Sequence, residues 1–223
     1  MRIVLTLALG LAIVLDSSAS AAPQNARPTP RPNFLFILAD DQAPQTLRAY
    51  GNTVCDTPNL DRLSAEGMTF DGAHHMGSWS GAVCRPSRTM IMTGRSVWHI
   101  PGKGSPHAEN PALVPPELAD QSLPAVFNRA GYDTFRTCKI GNSYPAANER
   151  FKSVRDKTSR EGNSEKGSAW HGDQVLDYLA QRETAKSEQP FLIYLGFSHP
   201  HDPRNGTPEL LTKYGAVNEM DPS

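Results

Sequence analysis

Two uninterrupted apolar segments constrain the fold of this chain more than any other feature. The first is NFLFILA at 33–39 and the second is FLIYLGF at 191–197. Apolar runs of this length, rich in Phe, Ile and Leu, are typical of strands buried on both faces of a parallel sheet. Helical segments alternate with them, so the sequence predicts an α/β fold with a mainly parallel central sheet flanked by helices.

Capping and turn residues mark further elements between the two runs. Thr57 followed by Pro58 is typical of a helix start, and Gly67 of its end, with Leu60 and Leu63 on the apolar side. Strands are also predicted at 68–76 and 132–138, helices at 86–93, 123–130 and 169–186, and a solvated, charge-mixed loop at 149–167. The inner side of the last helix is predicted to carry Val175, Leu176 and Leu179.

Chemically useful side chains follow three of the predicted strands. Asp40 and Asp41 come directly after the first apolar run, Lys139 follows 132–138, and His199 and His201 follow the last strand. Ligands of open α/β sheets collect at the carboxyl ends of the strands, so we expect these groups to face one crevice. The paired carboxylates suit a hard divalent cation, and an ordinary turn or helix-capping pair is the alternative.

The start of the chain is typical of an exported protein. Arg2 precedes an apolar run, and Ala-Ser-Ala at 19–21 fits a cleavage site, which predicts a signal peptide at 1–21. The run is too short to span a bilayer comfortably, although a membrane anchor or buried helix is the alternative. A proline-rich lead-in at 22–32 and a domain at 33–223 follow. We therefore expect a soluble periplasmic or extracellular protein without a stable membrane anchor.

Charge and cysteine content restrict the partners further. The formal net charge is -1, which gives no electrostatic reason to expect nucleic acid. Cys55, Cys84 and Cys138 are an odd number for an oxidising compartment, so at least one has no intramolecular partner. Neither CxxC nor HExxH occurs, so the odd cysteine needs another explanation than zinc binding.

The segment from Cys84 to Gly94, CRPSRTMIMTG, carries the most specific pattern in the chain. It reads C-x-P-S-R, then four further residues and T-G, and it resembles the sulfatase family. The segments PNFLFILADD, TPNLDRLSAEG, GYDTFRTCK and PFLIYLGFSHPHDP resemble the same family, and together they extend over 31–205. The resemblance implies an alkaline-phosphatase-like fold. A buried structural cysteine before an ordinary helix is the alternative interpretation of this segment.

The resemblance also implies a reaction and its cofactors. Cys84 would be oxidised to Cα-formylglycine by a dedicated formylglycine-generating enzyme, and one hydroxyl of the hydrated aldehyde would attack the sulfur of a sulfate ester. Loss of the proton from the second hydroxyl would then release sulfate. Ca2+ would be held by Asp40, Asp41 and an oxygen at position 84. The expected substrate is a sulfated small molecule or polysaccharide.

Further site residues are implied by matching positions in the family pattern. Arg88, one helical turn after Cys84, would hold the formylglycine oxygen. Lys139 would contact the sulfate, and His201 would contact it and protonate the leaving oxygen, with His199 as the second choice and a substrate-binding candidate. The alternatives are a surface lysine at a strand end and structural or solvated loop histidines.

The chain departs from the family pattern in two places and in its extent. The family usually has G-K-W-H where this chain has C-K-I-G, so the histidine role is not transferred, and Asn142 is a neutral candidate in its place. Arg85 is bulkier than the small residue usual there, which bears on formylglycine formation. Complete family members are much longer and carry further calcium ligands and a second sulfate-binding lysine, so we expect a fragment that is inactive alone.

Two other functions stay open at this point. A phosphonate or phosphate monoester hydrolase of the same superfamily would use a similar nucleophile on phosphorus. A non-catalytic exported remnant would bind anions or metal weakly. The mass change at Cys84 separates the enzymes from the remnant.

Overall fold

A computed structural model describes residues 31–75, 77–78, 83–100, 116–140, 144–157, 164–204 and 206–217. Within these ranges four strands form one parallel sheet, which confirms the predicted fold class. They are β1 (Phe34–Leu38), β2 (Asp133–Cys138), β3 (Ser153–Val154) and β4 (Phe191–Gly196), and their order in space is β1-β4-β2-β3.

Seven α-helices accompany the sheet in the described ranges. They are α1 (Pro58–Glu66), α2 (Cys84–Thr93), α3 (Pro116–Asp120), α4 (Leu123–Arg129), α5 (Pro145–Asn148), α6 (Ser164–Thr184) and α7 (Pro208–Tyr214). Short 3-10 turns lie at Pro44–Thr46, Arg48–Tyr50 and Val97–His99.

The central strand β4 shows why its sequence is apolar throughout. Successive side chains of a strand point to opposite faces, and both faces of β4 are covered. Leu192 and Tyr194 belong to a core cluster with α2, α3 and α5, whereas Ile193 and Leu195 belong to a second cluster with α6. All four are buried, and burying an aliphatic side chain of this size contributes about 1.5–3 kcal/mol. The prediction for this segment is confirmed.

Helix boundaries follow local chemistry where the sequence supplies it. α1 begins at Pro58 after Thr57 and ends at Gly67, as predicted, although the Thr57 side chain makes no capping hydrogen bond to the helix. α2 ends at Gly94, whose φ of 64° lies in the left-handed region that glycine adopts without a steric penalty. α2 starts at Cys84, two residues before the predicted start, and its buried face includes Arg88.

Two predictions in the first part of the chain are wrong. β1 is an edge strand rather than a strand buried on both faces, and Leu35 and Ile37 are about half exposed. The described part of the predicted strand 68–76 is loop and turn and does not join the described sheet. Its apolar residues Met68 and Phe70 are exposed. Leu60 and Leu63 of α1 are likewise exposed rather than buried.

Predictions for 149–167 and the last helix also need correction. Phe151 is buried rather than solvated, and β3 begins two residues later, so this segment belongs partly to the core and the sheet. α6 begins at Ser164, five residues before the predicted start. In α6, Val175 is buried as predicted, but Leu176 is 65% exposed because it lies on the outer face.

The predicted signal peptide lies outside the described residues, as does all but the end of the proline-rich lead-in. In the ranges that the structure describes, each helix is too short or too polar to cross a bilayer.

Candidate active site

Backbone hydrogen bonds hold the carboxyl ends of three neighbouring strands together. Leu38 accepts from the N–H of Phe197 at 2.9 Å, and Gly196 accepts from the N–H of Lys139 at 3.0 Å. The N–H of Asp40 donates to the carbonyl of His199 at 3.1 Å. The residues that follow β1, β2 and β4 therefore meet at one edge of the sheet, as the sequence predicts.

Asp40 lies at the centre of this edge between two basic side chains. Lys139 Nζ donates to Asp40 Oδ2 at 2.6 Å, and Arg88 Nη2 lies 3.6 Å from Asp40 Oδ1. Asp40, Arg88 and Lys139 are 2%, 1% and 1% exposed, so their charges interact with little screening by water. The alternative of Lys139 as a free surface lysine is wrong.

The protonation state of Asp40 follows from these neighbours. Burial alone would raise the pKa of its carboxyl, but the hydrogen bond from Lys139 and the charges of Arg88 and Lys139 outweigh burial and lower it. Asp40 is therefore ionised at neutral pH. These three buried side chains carry two positive charges and one negative charge, a net charge of +1 that attracts an anion.

Cys84 is the first residue of α2 and lies against Asp40. Burial raises the pKa of its thiol, and the Asp40 carboxylate raises it further. The thiol is therefore protonated at neutral pH, whereas nucleophilic cysteines are activated by a lowered pKa. Position 84 is well placed at a cationic centre, but its unmodified side chain is a poor nucleophile.

Arg88 is anchored by several acceptors one turn along the same helix. Nη1 donates to Cys138 Sγ at 2.9 Å, and Nη2 donates to the carbonyl of Phe197 at 3.2 Å. Together with the nearby Asp40 carboxylate, these contacts fix the orientation of the guanidinium group in the interior.

His201 joins Asp40 and Cys84 in one compact group. One side-chain atom of each, suited to metal ligation, lies within 4.8 Å of the other two. Nδ1 of His201 lies 3.2 Å from the carbonyl oxygen of Asp202, so this nitrogen donates and Nε2 is the nitrogen left for a ligand. The side chain is partly exposed, in the loop that follows β4.

His199 and Asp41 lie in different surroundings. Nδ1 of His199 is 3.2 Å from Ser168 Oγ of α6, and burial lowers the pKa of His199. Asp41 has a positive φ of 63°, and its carboxylate pairs with Arg204 at 3.0 Å near the surface. Asp41 is not a member of the three-residue group.

Three further histidines do not belong to the group formed by Asp40, Cys84 and His201. His74 and His75 lie on an exposed loop. His171 lies inside α6, is 1% exposed, and contacts Thr137 Oγ1 through Nδ1 at 2.6 Å. Asn142 lies outside the described residues. Cys55, Cys84 and Cys138 are all free thiols.

Sequence reasoning missed two supporting residues, Cys138 and Ser168. Cys138 is a buried free thiol that accepts a hydrogen bond from Arg88. Ser168 contacts His199 from a helix 31 residues away in sequence. The position of Cys138 directly before Lys139 is a sequence signal that places it near the site, whereas no pattern in the chain indicates the contact of Ser168 with His199.

The fold and the site together define a class. This is an α/β protein with a parallel sheet whose strand ends carry a buried cationic centre beside a helix N-terminus. The family model described as Sulfatase matches residues 32–223, most of the chain, and the protein belongs to the sulfatase family. The predicted family is thereby confirmed.

Comparisons with known proteins agree with this assignment. The chain is similar to an N-acetylglucosamine-6-O-sulfatase of Bacteroides thetaiotaomicron, with 35% identity over 129 residues, which are 58% of this chain and 21% of that protein. Its fold resembles BT4656 in complex with its substrate D-glucosamine-2-N,6-O-disulfate, with a TM-score of 0.56 and 23% identity over 78% of this chain and 35% of that one.

A second structural neighbour has a similar fold. It is an alkaline phosphatase superfamily protein from Vibrio parahaemolyticus, with a TM-score of 0.54 and 16% identity, covering 87% of this chain and 45% of that one. The matched region thus spans less than half the length of each of these three proteins.

Proposed function

We propose that the protein containing this chain hydrolyses sulfate esters, with a formylglycine made from Cys84 as the nucleophile and a bound Ca2+ ion. The observation that carries the proposal is the position of Cys84 at a buried edge where Arg88 and Lys139 outnumber the Asp40 carboxylate. A net positive centre stabilises the negative charge of a sulfate group.

The protonated state of the Cys84 thiol favours its conversion to formylglycine over its direct use as a nucleophile. The raised pKa of Cys84 keeps the sulfur protonated, so an unmodified thiol would be a weak nucleophile. A hydrated aldehyde at the same position offers two hydroxyl groups beside the same basic side chains. This is the physical reason to expect the modification here.

The reaction then proceeds in two steps. One hydroxyl of the hydrate loses its proton and bonds to the ester sulfur, while the bond from sulfur to the alcohol oxygen breaks and the alcohol leaves with a proton. The second hydroxyl then loses its proton and becomes the aldehyde oxygen, and the carbon–oxygen bond to the sulfate breaks. Addition of water restores the hydrate.

Each neighbouring side chain has a role that suits its contacts. Arg88, fixed by Cys138 and Phe197, orients the formylglycine oxygen. Lys139 binds the sulfate, and His201, whose Nδ1 is taken up by the carbonyl of Asp202, gives a proton from Nε2 to the leaving oxygen. His199, neutral because burial lowers its pKa, is a substrate-binding candidate.

The donor set fits calcium once Cys84 has been converted. Ca2+ prefers oxygen ligands, and conversion replaces a soft sulfur by oxygen beside the Asp40 carboxylate. Asp40, position 84 and Asp41 would hold the ion, and the Arg204 pairing of Asp41 is exposed and therefore weak. When bound, the ion supplies positive charge that polarises the sulfate oxygens.

The substrate and compartment are part of the same proposal. A sulfated polysaccharide or a sulfated small molecule is the expected substrate, and the structural neighbour that holds a sulfated glucosamine supports the carbohydrate class. We propose export by the predicted signal peptide to the periplasm or the outside of the cell, with a formylglycine-generating enzyme as a partner during maturation. Nucleic acid and a stable membrane anchor have no part in this function.

Mass spectrometry of the peptide around Cys84 tests the modification. In protein purified from a host with a formylglycine-generating enzyme, we expect a loss of about 18 Da at position 84 and release of sulfate from an aryl sulfate. Cys84→Ala should abolish sulfate release, and Cys55→Ala should retain it. Sulfate release with an intact thiol at position 84, or release of phosphate in preference to sulfate, would contradict the proposal.

A serine at position 84 tests the two-step mechanism separately. Serine has one hydroxyl, so it can attack sulfur but cannot eliminate sulfate. Cys84→Ser should therefore gain about 80 Da on that residue after incubation with substrate and release at most one equivalent of alcohol. Continued turnover by this variant would exclude the elimination step.

A further inference from the structure

Cys138 occupies a position where its neighbours leave little freedom. It is the last residue of β2, directly before Lys139. Its side chain is 0% exposed, and its sulfur accepts a hydrogen bond from Arg88 Nη1 at 2.9 Å. A buried guanidinium group needs acceptors for its N–H groups, and this sulfur is one of them.

Gly196 on the adjacent strand makes room for this contact. Cys138 and Gly196 are register partners at the ends of β2 and β4. A Cβ atom on Gly196 would collide with Cys138 Sγ and would lie 2.8 Å from Arg88 Nη1. The sulfur and the guanidinium group therefore fill the space that a side chain at position 196 would occupy.

The same arginine is held from its other side. Arg88 Nη2 donates to the carbonyl of Phe197, the residue after Gly196, and faces Asp40 at 3.6 Å. Two fixed acceptors on separate strands determine both the position and the plane of the guanidinium group. Removal of either one weakens the restraint on rotation of the group about its last torsion angle.

We propose that Cys138 is a positioning residue that, with Gly196, sets the guanidinium of Arg88 toward position 84. The inference rests on the proposed function, because orientation matters only if Arg88 holds the formylglycine. A misplacement of a catalytic group by about 1 Å costs up to about a hundredfold in rate, so the expected effect is on kcat rather than on KM.

Two substitutions at position 138 distinguish loss of the hydrogen-bond acceptor for Arg88 from a change in side-chain volume. Cys138→Ser keeps an acceptor of similar size, and we expect kcat within about threefold of wild type. Cys138→Ala removes the acceptor, and we expect kcat to fall about tenfold or more with KM little changed. Gly196→Ala should lower kcat by a similar factor, because the new methyl group displaces the same contact.

Val175→Ala is the matched control for loss of packing. Val175 is buried in the cluster on the opposite face of the sheet, so this variant creates a cavity without contacting Arg88. We expect it to lower the thermal midpoint at least as much as Cys138→Ala and to leave kcat unchanged. If kcat follows the thermal midpoint across all four variants, Cys138 has only a structural role and the inference is overturned.

Side-chain NMR of Arg88 tests the contact independently of activity. In wild type and Cys138→Ser we expect distinct 15Nη signals for Arg88 because its rotation is hindered, and in Cys138→Ala we expect these signals to merge. Distinct signals in Cys138→Ala would overturn the inference. If the signals merge in Cys138→Ala as expected but the wild-type protein releases no sulfate, the positioning of Arg88 is correct and the proposed function is wrong.

Discussion

Asp40 and Lys139 form a buried ion pair on which the stability of the site edge depends. Lys139→Met removes one of the two cations that balance the Asp40 carboxylate and keeps most of the side-chain volume. The substitution removes the 2.6 Å hydrogen bond to Asp40 and leaves Arg88, at 3.6 Å, as the remaining cation beside this buried carboxylate, so we expect a loss of about 3 kcal/mol in the free energy of unfolding, measured by urea denaturation.

The exposed pair of Lys213 with Asp56 supplies the control for this substitution. Both side chains are about half exposed, so water screens the interaction and Lys213→Met should change stability little. Equal effects of the two lysine substitutions would contradict a buried ion pair.

At the scale of single residues, the strand ends were predictable and their supporting contacts were not. Asp40, Lys139 and His201 follow predicted strands, and the geometry of parallel sheets brings such positions together. The contact of Arg88 with Cys138 joins residues 50 apart in sequence, and no local pattern encodes which acceptor a buried arginine finds.

At the scale of elements, helix α6 is joined to strand β2 by a buried histidine. His171 Nδ1 lies 2.6 Å from Thr137 Oγ1, and burial lowers the pKa of His171 from 6.5 to about 4. The unfolded chain binds a proton below pH 6.5 and the folded chain does not, so protonation favours unfolding as the pH falls. Up to about 3 kcal/mol of stability is present above pH 6.5 and is lost towards pH 4.

His171→Asn removes this titration and keeps a hydrogen-bonding atom near Thr137. We expect the variant to show a flatter dependence of unfolding free energy on pH between 6.5 and about 4 than wild type shows. His74→Asn, on an exposed loop, should retain the slope of wild type. An unchanged slope in His171→Asn would mean that other groups cause the acid sensitivity.

The strength of the local sequence pattern explains which helices and strands are predicted correctly. β4, α2 and α4 combine apolar periodicity with glycine or proline at their ends, and their predictions hold to within two residues. β3 has two residues, and its pairing depends on the position of β2 rather than on its own sequence. The segment 68–75 is apolar enough for a strand, but strand formation requires a partner edge.

At the scale of the whole molecule, the described sheet is covered unevenly. β2 and β4 are buried, whereas β1 at the edge exposes Phe34, Leu35 and Ile37 at 41–52%. An exposed, apolar edge strand is a template for association with another chain. In the described part of the chain, β1 is therefore a strand edge that is open to pairing with a second chain.

The last prediction concerns these 223 residues produced alone. We expect them to self-associate through β1, with an apparent mass in light scattering that rises with concentration. Leu35→Lys places a charge on the exposed edge strand and should shift the population toward monomer. Leu176→Lys is the matched control, because Leu176 is a single exposed apolar residue on α6, away from the sheet edge. A monomer at all concentrations, or an equal effect of both lysines, would show that β1 does not mediate association.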